Sequence, residues 1–353
     1  MVKKINKDDV FVASKRVWLQ KNTGTVDPVF IPKDIGYKEN KKSIEQVCIA
    51  IAHKIPVLLI GETGTGKTSL IRHIAHETHN GFVRVNHNGG TSVEDIVGRW
   101  VLGPKGEMVW IDGLLVFAAR NGYWYHADEI NAAGPEIAFA YHALLDDDGY
   151  IVLAEKGNEV VIPHENFRFF AAMNPTEGYA GTKEVNKALL DRCLIIKMDY
   201  PAPKIEEQIL IERTGIEKDV AERMVRSAGE IRNMYNDDKI EFVFSTRSLI
   251  YWAKMYKVYG KYMTSFENVV LNKLNEDDYT AIKDISLINF AELDRRNAKM
   301  EKMTKAEREA FEVLDKTAAD TVLAGIDGNE VERDAWGEEE DPYETSDKSE
   351  GGI

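Results

Sequence analysis

Only two cysteines, Cys48 and Cys193, stand among 353 residues. Neither has a C-x-x-C neighbour, and their surroundings, QVCIAIA and RCLIIK, are apolar. Two packed, reduced thiols are therefore expected rather than a disulfide framework or a cysteine-ligated zinc site. Long apolar runs are lacking too: Pro56–Ile60 and Leu114–Ala119 fall far short of the roughly 20 residues of a membrane helix. No membrane partner is expected. The opening MVKKINKDDVF carries Asp8 and Asp9 and leads into no continuous apolar segment, so no secretory leader and a cytoplasmic location are expected.

A basic excess is also missing. The formal charge is −14, and it is unevenly spread. From residue 326 onward eleven acidic residues face Arg333 and Lys348, a net of −9 that leaves −5 for everything before. A body without cationic excess lacks the footprint that neutralises phosphate backbones, so nucleic acid is not the expected partner. What is present, 44% apolar and 29% charged residues, is the composition of a soluble globular chain with ample core.

Along the chain, residues 1–40 carry the Gly and Pro of a connecting segment and are expected to form an N-terminal arm. After a helical pattern from Lys42, the segments Pro56–Ile60, Phe82–Val85, Gly122–Ala127, Phe167–Met173 and Leu194–Met198 read as strands, with helical stretches such as Thr68–Thr78 between most of them. Such alternation implies an α/β domain over 41–201 with a doubly wound parallel sheet. Two inserts, Arg99–Ile111 and Tyr150–Ile162, each place Lys-Gly between β-prone arms and read as β-hairpins, with Trp100 and Trp110 paired across the first. From about 202 to 290 only helical patterns occur, among them Lys218–Met234, Thr246–Tyr259 and Phe266–Leu274, which implies a smaller all-α lid domain. A helical extension over 291–325 and a disordered acidic tail over 326–353 complete the expected organisation.

Gly61-Glu62-Thr63-Gly64-Thr65-Gly66-Lys67-Thr68, followed by Ser69, matches G-x-x-x-x-G-K-[ST] between a buried strand and a helix. Glycines let the backbone bend around phosphate oxygens, so that amide N–H groups and the helix N-terminus face the anion. Lys67 adds a point charge at the outer phosphates, and the Thr68 hydroxyl is a ligand for Mg²⁺. A P-loop NTPase also needs a metal carboxylate and a group that activates water. Asp128 and Glu129, ending the third strand, supply them in that order.

In these and further residues the chain resembles the AAA+ ATPases of the MoxR type, the group that includes CbbQ, NorQ, GvpN, the CobS subunit of cobalt chelatase and the modules of midasin. The resemblance covers about Val29 to Leu274. It rests on Asp128-Glu-Ile-Asn131, Phe82-Val-Arg-Val-Asn86 with Asp95-Ile-Val-Gly98, Asp112-Gly-Leu-Leu and Ala172-Met-Asn174-Pro175, and fits the CobS and CbbQ branch best. It implies ATP as the nucleotide, a ring of like subunits, a hexamer, and hairpins that face its pore. By the same resemblance Asn174 is sensor 1, beside the terminal phosphate and the water. Arg192, in Lys187-Ala-Leu-Leu-Asp-Arg, is the arginine finger offered to a neighbour's site, although Cys193 follows where the family usually has phenylalanine. A surface arginine closing a helix C-terminus is the other reading of Arg192. Arg247 in Ser245-Thr-Arg-Ser is sensor 2, with Arg232 and Arg226 as rivals. Asn86 is either a polar switch acting on Glu129 or an ordinary end-of-strand asparagine.

The histidines His87, His126, His142 and His164 show no metal-ligand spacing and read as packing residues. The expected activity is ATP hydrolysis with Mg²⁺, driving the remodelling of a client protein or the insertion of a metal or cofactor into it. A von Willebrand factor A domain partner is implied by the resemblance only. Two alternatives share the nucleotide residues: a nucleic-acid-directed motor, and a scaffold that binds nucleotide with little turnover.

Overall fold

The computed structural model describes residues 10–14, 17–38, 41–175, 186–285, 288 and 290. The chain divides between Glu292 and Leu293, and all described residues fall in the first unit. The expected extension over 291–325 and tail over 326–353 lie outside them, as do the first nine residues of the arm.

The arm is more ordered than its glycines and prolines suggest. An antiparallel ribbon joins β1 (Val10–Val12) to β2 (Trp18–Gln20). Leu19 is buried, and Phe11 and Val17 pack beside it on the helices of one sheet face. Alternating apolar residues in VFVASKRVWLQ carry that strand signal. Further on, Phe30 reaches across to Phe117 and Tyr123, with ring centroids 5.2 and 5.1 Å away.

The α/β part runs α1 (Lys41–Ala52), β3 (Val57–Ile60), α2 (Lys67–Glu77), β4 (Phe82–Asn86) and α3 (Val93–Ile96). A hairpin of β5 (Gly98–Leu102) and β6 (Met108–Asp112) leads into α4 (Leu114–Asn121), β7 (Trp124–Asp128) and α5 (Pro135–His142). A second hairpin, β8 (Ile151–Leu153) and β9 (Glu159–Val161), precedes β10 (Arg168–Met173), α6 (Lys187–Asp191) and β11 (Leu194–Lys197). The helical part is α7 (Pro203–Thr214), α8 (Lys218–Asn236), α9 (Thr246–Tyr259) and α10 (Tyr262–Val269), with residues 276–285 again helical. No described helix is long and apolar enough to cross a membrane.

Five strands form one parallel sheet in the order β11-β3-β10-β7-β4. Period-two alternation sorts their side chains onto two faces. Leu58, Val83, Val85, Tyr125, Ala127, Phe169 and Ala171 meet α4 and α5 on one side. Val57, Leu59, Trp124, Phe170, Ala172 and Ile196 meet α1 and α2 on the other. Both faces are covered, which is why these strands read as continuous apolar runs.

Most strand and helix ends shift by a residue or so from the sequence reading, and three shifts are larger or have a clear cause. Gly122, at φ +70°, closes α4 in the left-handed conformation, so the third strand starts at Trp124 and Asp128 is its last residue. The helix expected over Phe266–Leu274 starts earlier, at Tyr262, and gives way to a 3₁₀ turn at Leu271–Lys273. The helix from Lys218 runs two residues beyond Met234. Both hairpins form, and Trp100 faces Trp110 in register, edge to face at 5.6 Å. The indole N–H of Trp100 donates to the Glu155 carbonyl oxygen at 3.0 Å, tying the first hairpin to the second.

Candidate functional site

The carboxyl ends of β3, β10 and β7 lie side by side, with Ile60 opposite Met173, and Ala171 opposite Ala127. Residues far apart in sequence therefore converge: the loop after β3, Asn174 after β10, and Asp128 with Glu129 at the end of β7. Ligands of open parallel sheets bind at such strand ends. Here the ends open into a cleft of about 1270 Å³, roofed by α7, α9 and residues 36–38 of the arm. Thr63, Gly64, Thr65, Gly66, Lys67, Thr68 and Ser69 line it together with Asp128, Glu129, Asn174 and Arg247. Eight of its lining side chains are lysine or arginine and three are acidic. A cationic cleft in a chain of net charge −14 is the electrostatic setting for a polyanion.

The loop between β3 and α2 has the backbone shape that the sequence motif leads one to expect. Gly64 and Gly66 hold φ of +79° and +94°, which an L side chain disfavours. A Cβ on Gly61 would lie 2.2 Å from the Met198 carbonyl oxygen, so Gly61 belongs to the wall beneath the cleft. Lys67 is buried at the start of α2, and its ammonium donates to the carbonyls of Gly61 (2.5 Å) and Glu62 (2.9 Å) and to Asn174 Oδ1 (2.9 Å). All three N–H bonds are committed, so the charge is held in place before any ligand arrives. Burial pushes its pKa down to about 8, with Asp128, Glu62 and Glu129 pulling the other way.

Thr68 Oγ1 donates to Asp128 Oδ2 at 2.8 Å. A hydroxyl and a carboxylate side by side are the hard oxygen donors that suit Mg²⁺. Asp128 is buried, which disfavours its charge, yet His126, the Thr68 hydrogen bond and Arg84 together hold its carboxyl below the ordinary value. Glu129 is exposed and sits at φ +54°, a left-handed conformation uncommon for a side-chain-bearing residue. That turn lets two consecutive carboxylates face one cleft, and strain of this kind gathers at functional sites. Asn131 is buried and donates to the Asn174 carbonyl at 3.1 Å, linking the turn after β7 to the end of β10.

The remaining site residues separate. Arg247 lines the cleft from the first turn of α9, behind a Ser245 N-cap that accepts from Ser248 N at 3.1 Å. Its rival Arg232 is engaged elsewhere, in a bidentate pair with Glu206 at 2.7 and 2.8 Å. Arg192 does not line the cleft: it bonds the Ala188 carbonyl of α6 at 2.8 Å and Asp146 at 2.6 Å, the helix-end arrangement weighed above. Asn86 lines the cleft at the end of β4, opposite Asp128 in register.

Sequence reasoning missed Arg84, whose guanidinium reaches Asp128 Oδ2 through Nε (2.9 Å) and Nη2 (2.6 Å). It also missed the arm's side of the cleft, where Tyr37 stacks on His73 at 5.4 Å. There Lys38 pairs with Glu212 at 2.5 Å, and Arg213 donates to the Ile35 carbonyl at 2.7 Å. Cys48 is buried and Cys193 half-buried, and burial pushes both thiols up to about 12. Among the described residues no cluster of three or more His, Cys, Asp or Glu side chains gathers as a metal site.

Residues 56–193 match the family described as AAA domain (dynein-related subfamily), and residues 206–288 match CbbQ/NirQ/NorQ C-terminal. Midasin of Dictyostelium discoideum is 30% identical over 70% of this chain, which spans only 4% of midasin's length. NorQ of Paracoccus denitrificans is 31% identical over 65% of this chain and 83% of its own. CbbQ of Hydrogenophilus thermoluteolus is 32% identical over 59% and 76% respectively. The sheet, the loop after its β3 strand, the helical part beyond residue 202 and these two matched segments agree, and the chain belongs to the MoxR-type AAA+ ATPases.

Proposed function

We propose that the chain is an ATP-hydrolysing motor that works as a ring of like subunits, a hexamer, and remodels a client protein or assists metal or cofactor insertion into it. In this reading 41–201 is the nucleotide domain and 202–290 its lid. Gly61 to Ser69 hold the phosphates, with Lys67 on the outer ones. Thr68 and Asp128 hold Mg²⁺, which would screen phosphate charge, and Glu129 takes the proton of the attacking water. Asn174 orients that water, and Arg247 reads the terminal phosphate from the lid.

The observation that carries the proposal is how the hydrolytic set divides. Lys67, Thr68, Asp128, Glu129, Asn174 and Arg247 border one cleft, while Arg192 does not line it and is bonded to Asp146. If Arg192 is the finger, the site that it completes is a neighbour's, and that need is the reason for a ring. The two hairpins, joined through Trp100 and carrying exposed Leu102, Met108 and Ile162, would carry the movement to the client in the pore. A von Willebrand factor A domain partner and the CobS-like role in metal insertion enter through the resemblance.

The test is turnover per subunit against protein concentration, alongside sedimentation. Hydrolysis should rise steeply as rings assemble. Equal turnover per subunit in dissociated and assembled protein would refute the shared site.

A further inference from the structure

Three side chains outside the cleft connect its floor to its roof. Glu206 on α7 is 1% exposed and accepts from Arg232 Nη1 at 2.8 Å, Arg232 Nη2 at 2.7 Å and Thr246 Oγ1 at 2.5 Å. It thereby joins α7, α8 and the first residue of α9. Arg232 Nε donates to the Phe244 carbonyl at 2.8 Å, just ahead of α9. The flat face of the same guanidinium lies 3.9 Å from the Tyr200 ring centroid. Tyr200, in the connection between β11 and α7, donates its hydroxyl to the Thr63 carbonyl of the phosphate loop at 3.0 Å. Nearby, Gly64 abuts Ser245, for a Cβ on that glycine would come within 2.6 Å of Ser245 Cβ.

We propose that Tyr200, Arg232 and Glu206 form a latch that registers α9 against the phosphate loop, so that they set how Arg247 meets the terminal phosphate. They are positioning residues, and the proposal rests on the nucleotide-site reading above. The geometry fits directional control better than simple cohesion. A buried ion pair contributes little net stability compared with apolar packing of the same volume. A planar fork bonded through both Nη atoms fixes orientation as well as distance. Every N–H-bearing nitrogen of Arg232 is bonded within the lid, and its face is left for Tyr200. A bond to Thr63, a loop residue that itself lines the cleft, links this cluster to the floor. A shift of the loop on filling would therefore pass through Tyr200 and Arg232 to Thr246, the neighbour of Arg247.

The test compares the affinity of the full chain for ADP and for a non-hydrolysable ATP analogue, by calorimetry. Wild type should prefer the triphosphate, and Arg247→Ala should lose that preference. Tyr200→Phe keeps the ring stack and removes the hydroxyl that bonds Thr63, so it should cut the preference roughly fivefold, about one hydrogen bond's worth. Because Tyr200 acts through Arg247, adding Tyr200→Phe to Arg247→Ala should change nothing further. Arg232→Lys keeps the charge but loses the fork, and should shift the ratio in the same sense as Tyr200→Phe. An unchanged ratio in Tyr200→Phe, or additive losses in the double variant, would overturn the latch. So would equal weakening of both nucleotides with a lowered unfolding midpoint, the mark of a merely structural role. Wild-type protein that binds neither nucleotide would overturn the underlying reading and the latch with it, a result distinct from intact binding with an unmoved ratio.

Discussion

Lys67 Nζ donates a hydrogen bond of 2.9 Å to Asn174 Oδ1 across 107 residues of chain. The ammonium of the phosphate loop and the amide at the end of β10 therefore occupy one point of the cleft before any ligand is bound. Thr68 and Asp128 meet in the same way one residue further along α2. Two contacts across the sheet thus assemble the proposed nucleotide site from three separate sequence segments.

Loss of the Lys67 charge and loss of the Glu129 base should have different consequences. Lys67→Ala removes a charge-assisted contact, and ATP affinity should fall roughly 10- to 100-fold. Glu129→Gln keeps the shape of an exposed side chain that no phosphate needs, so binding should stay within about threefold while turnover falls on the order of 10²–10⁴-fold. Calorimetry and a phosphate-release assay separate the two. Equal loss of binding in both variants would refute the division of roles.

Arg192→Ala should bind ATP as wild type does, because the side chain does not border its own cleft. Turnover should drop by roughly 10³–10⁵ if the guanidinium offsets transition-state charge in the neighbouring site. Mixing this protein with Glu129→Gln protein should restore part of the activity, since some interfaces then hold an intact pair. Mixed rings without recovery would count against an arginine acting between subunits. Because Arg192 is also bonded to Asp146 and Ala188, the unfolding midpoint needs to be measured alongside.

Gly64→Ala tests the junction of loop and lid. The new Cβ would sit 2.6 Å from Ser245 Cβ, at φ +79°. Both the clash and the left-handed backbone, which costs about 1–2 kcal/mol for an L residue, oppose the native loop. Nucleotide affinity should fall at least about tenfold, and Ser245→Gly in the same chain should recover part of it by removing the clashing atom. Wild-type binding by Gly64→Ala would show that loop and lid are not closely apposed.

What could be read in advance follows from where the information sits. Gly61 to Thr68 is contiguous, and Asp128 and Asn174 each end a buried apolar strand, so motif and pattern sufficed. Arg84 was invisible because its partner lies 44 residues away on the neighbouring strand, and no local pattern encodes the register of β4 beside β7. Tyr37 and Lys38 sit in a stretch whose Gly36 and Pro32 suggest mere connection, yet their cleft-facing position comes from contacts with α2 and α7. Arg232 and Arg247 were indistinguishable by composition. Burial of Glu206, a tertiary fact, separates them.

Acid stability follows from His87. It is fully buried beyond β4, its Nε2 2.7 Å from the Tyr141 hydroxyl, which is itself 2.9 Å from the Tyr125 hydroxyl. Burial pushes its pKa from 6.5 down to about 4, against a partial pull from Asp128. The folded state thus refuses a proton that the unfolded chain accepts near pH 6.5. Stability from this group is complete above that pH and is lost as the pH falls from 6.5 toward 4. The full loss is on the order of 3 kcal/mol, at up to about 1.4 kcal/mol per pH unit. His126, buried and also lowered to about 4, adds a slope of the same sign. Urea unfolding of wild type and His87→Gln between pH 7 and 4.5 should therefore give curves that converge as the pH falls, the variant being less stable at pH 7 and flatter below 6.5. Parallel curves would mean that His87 takes up its proton without leaving the fold.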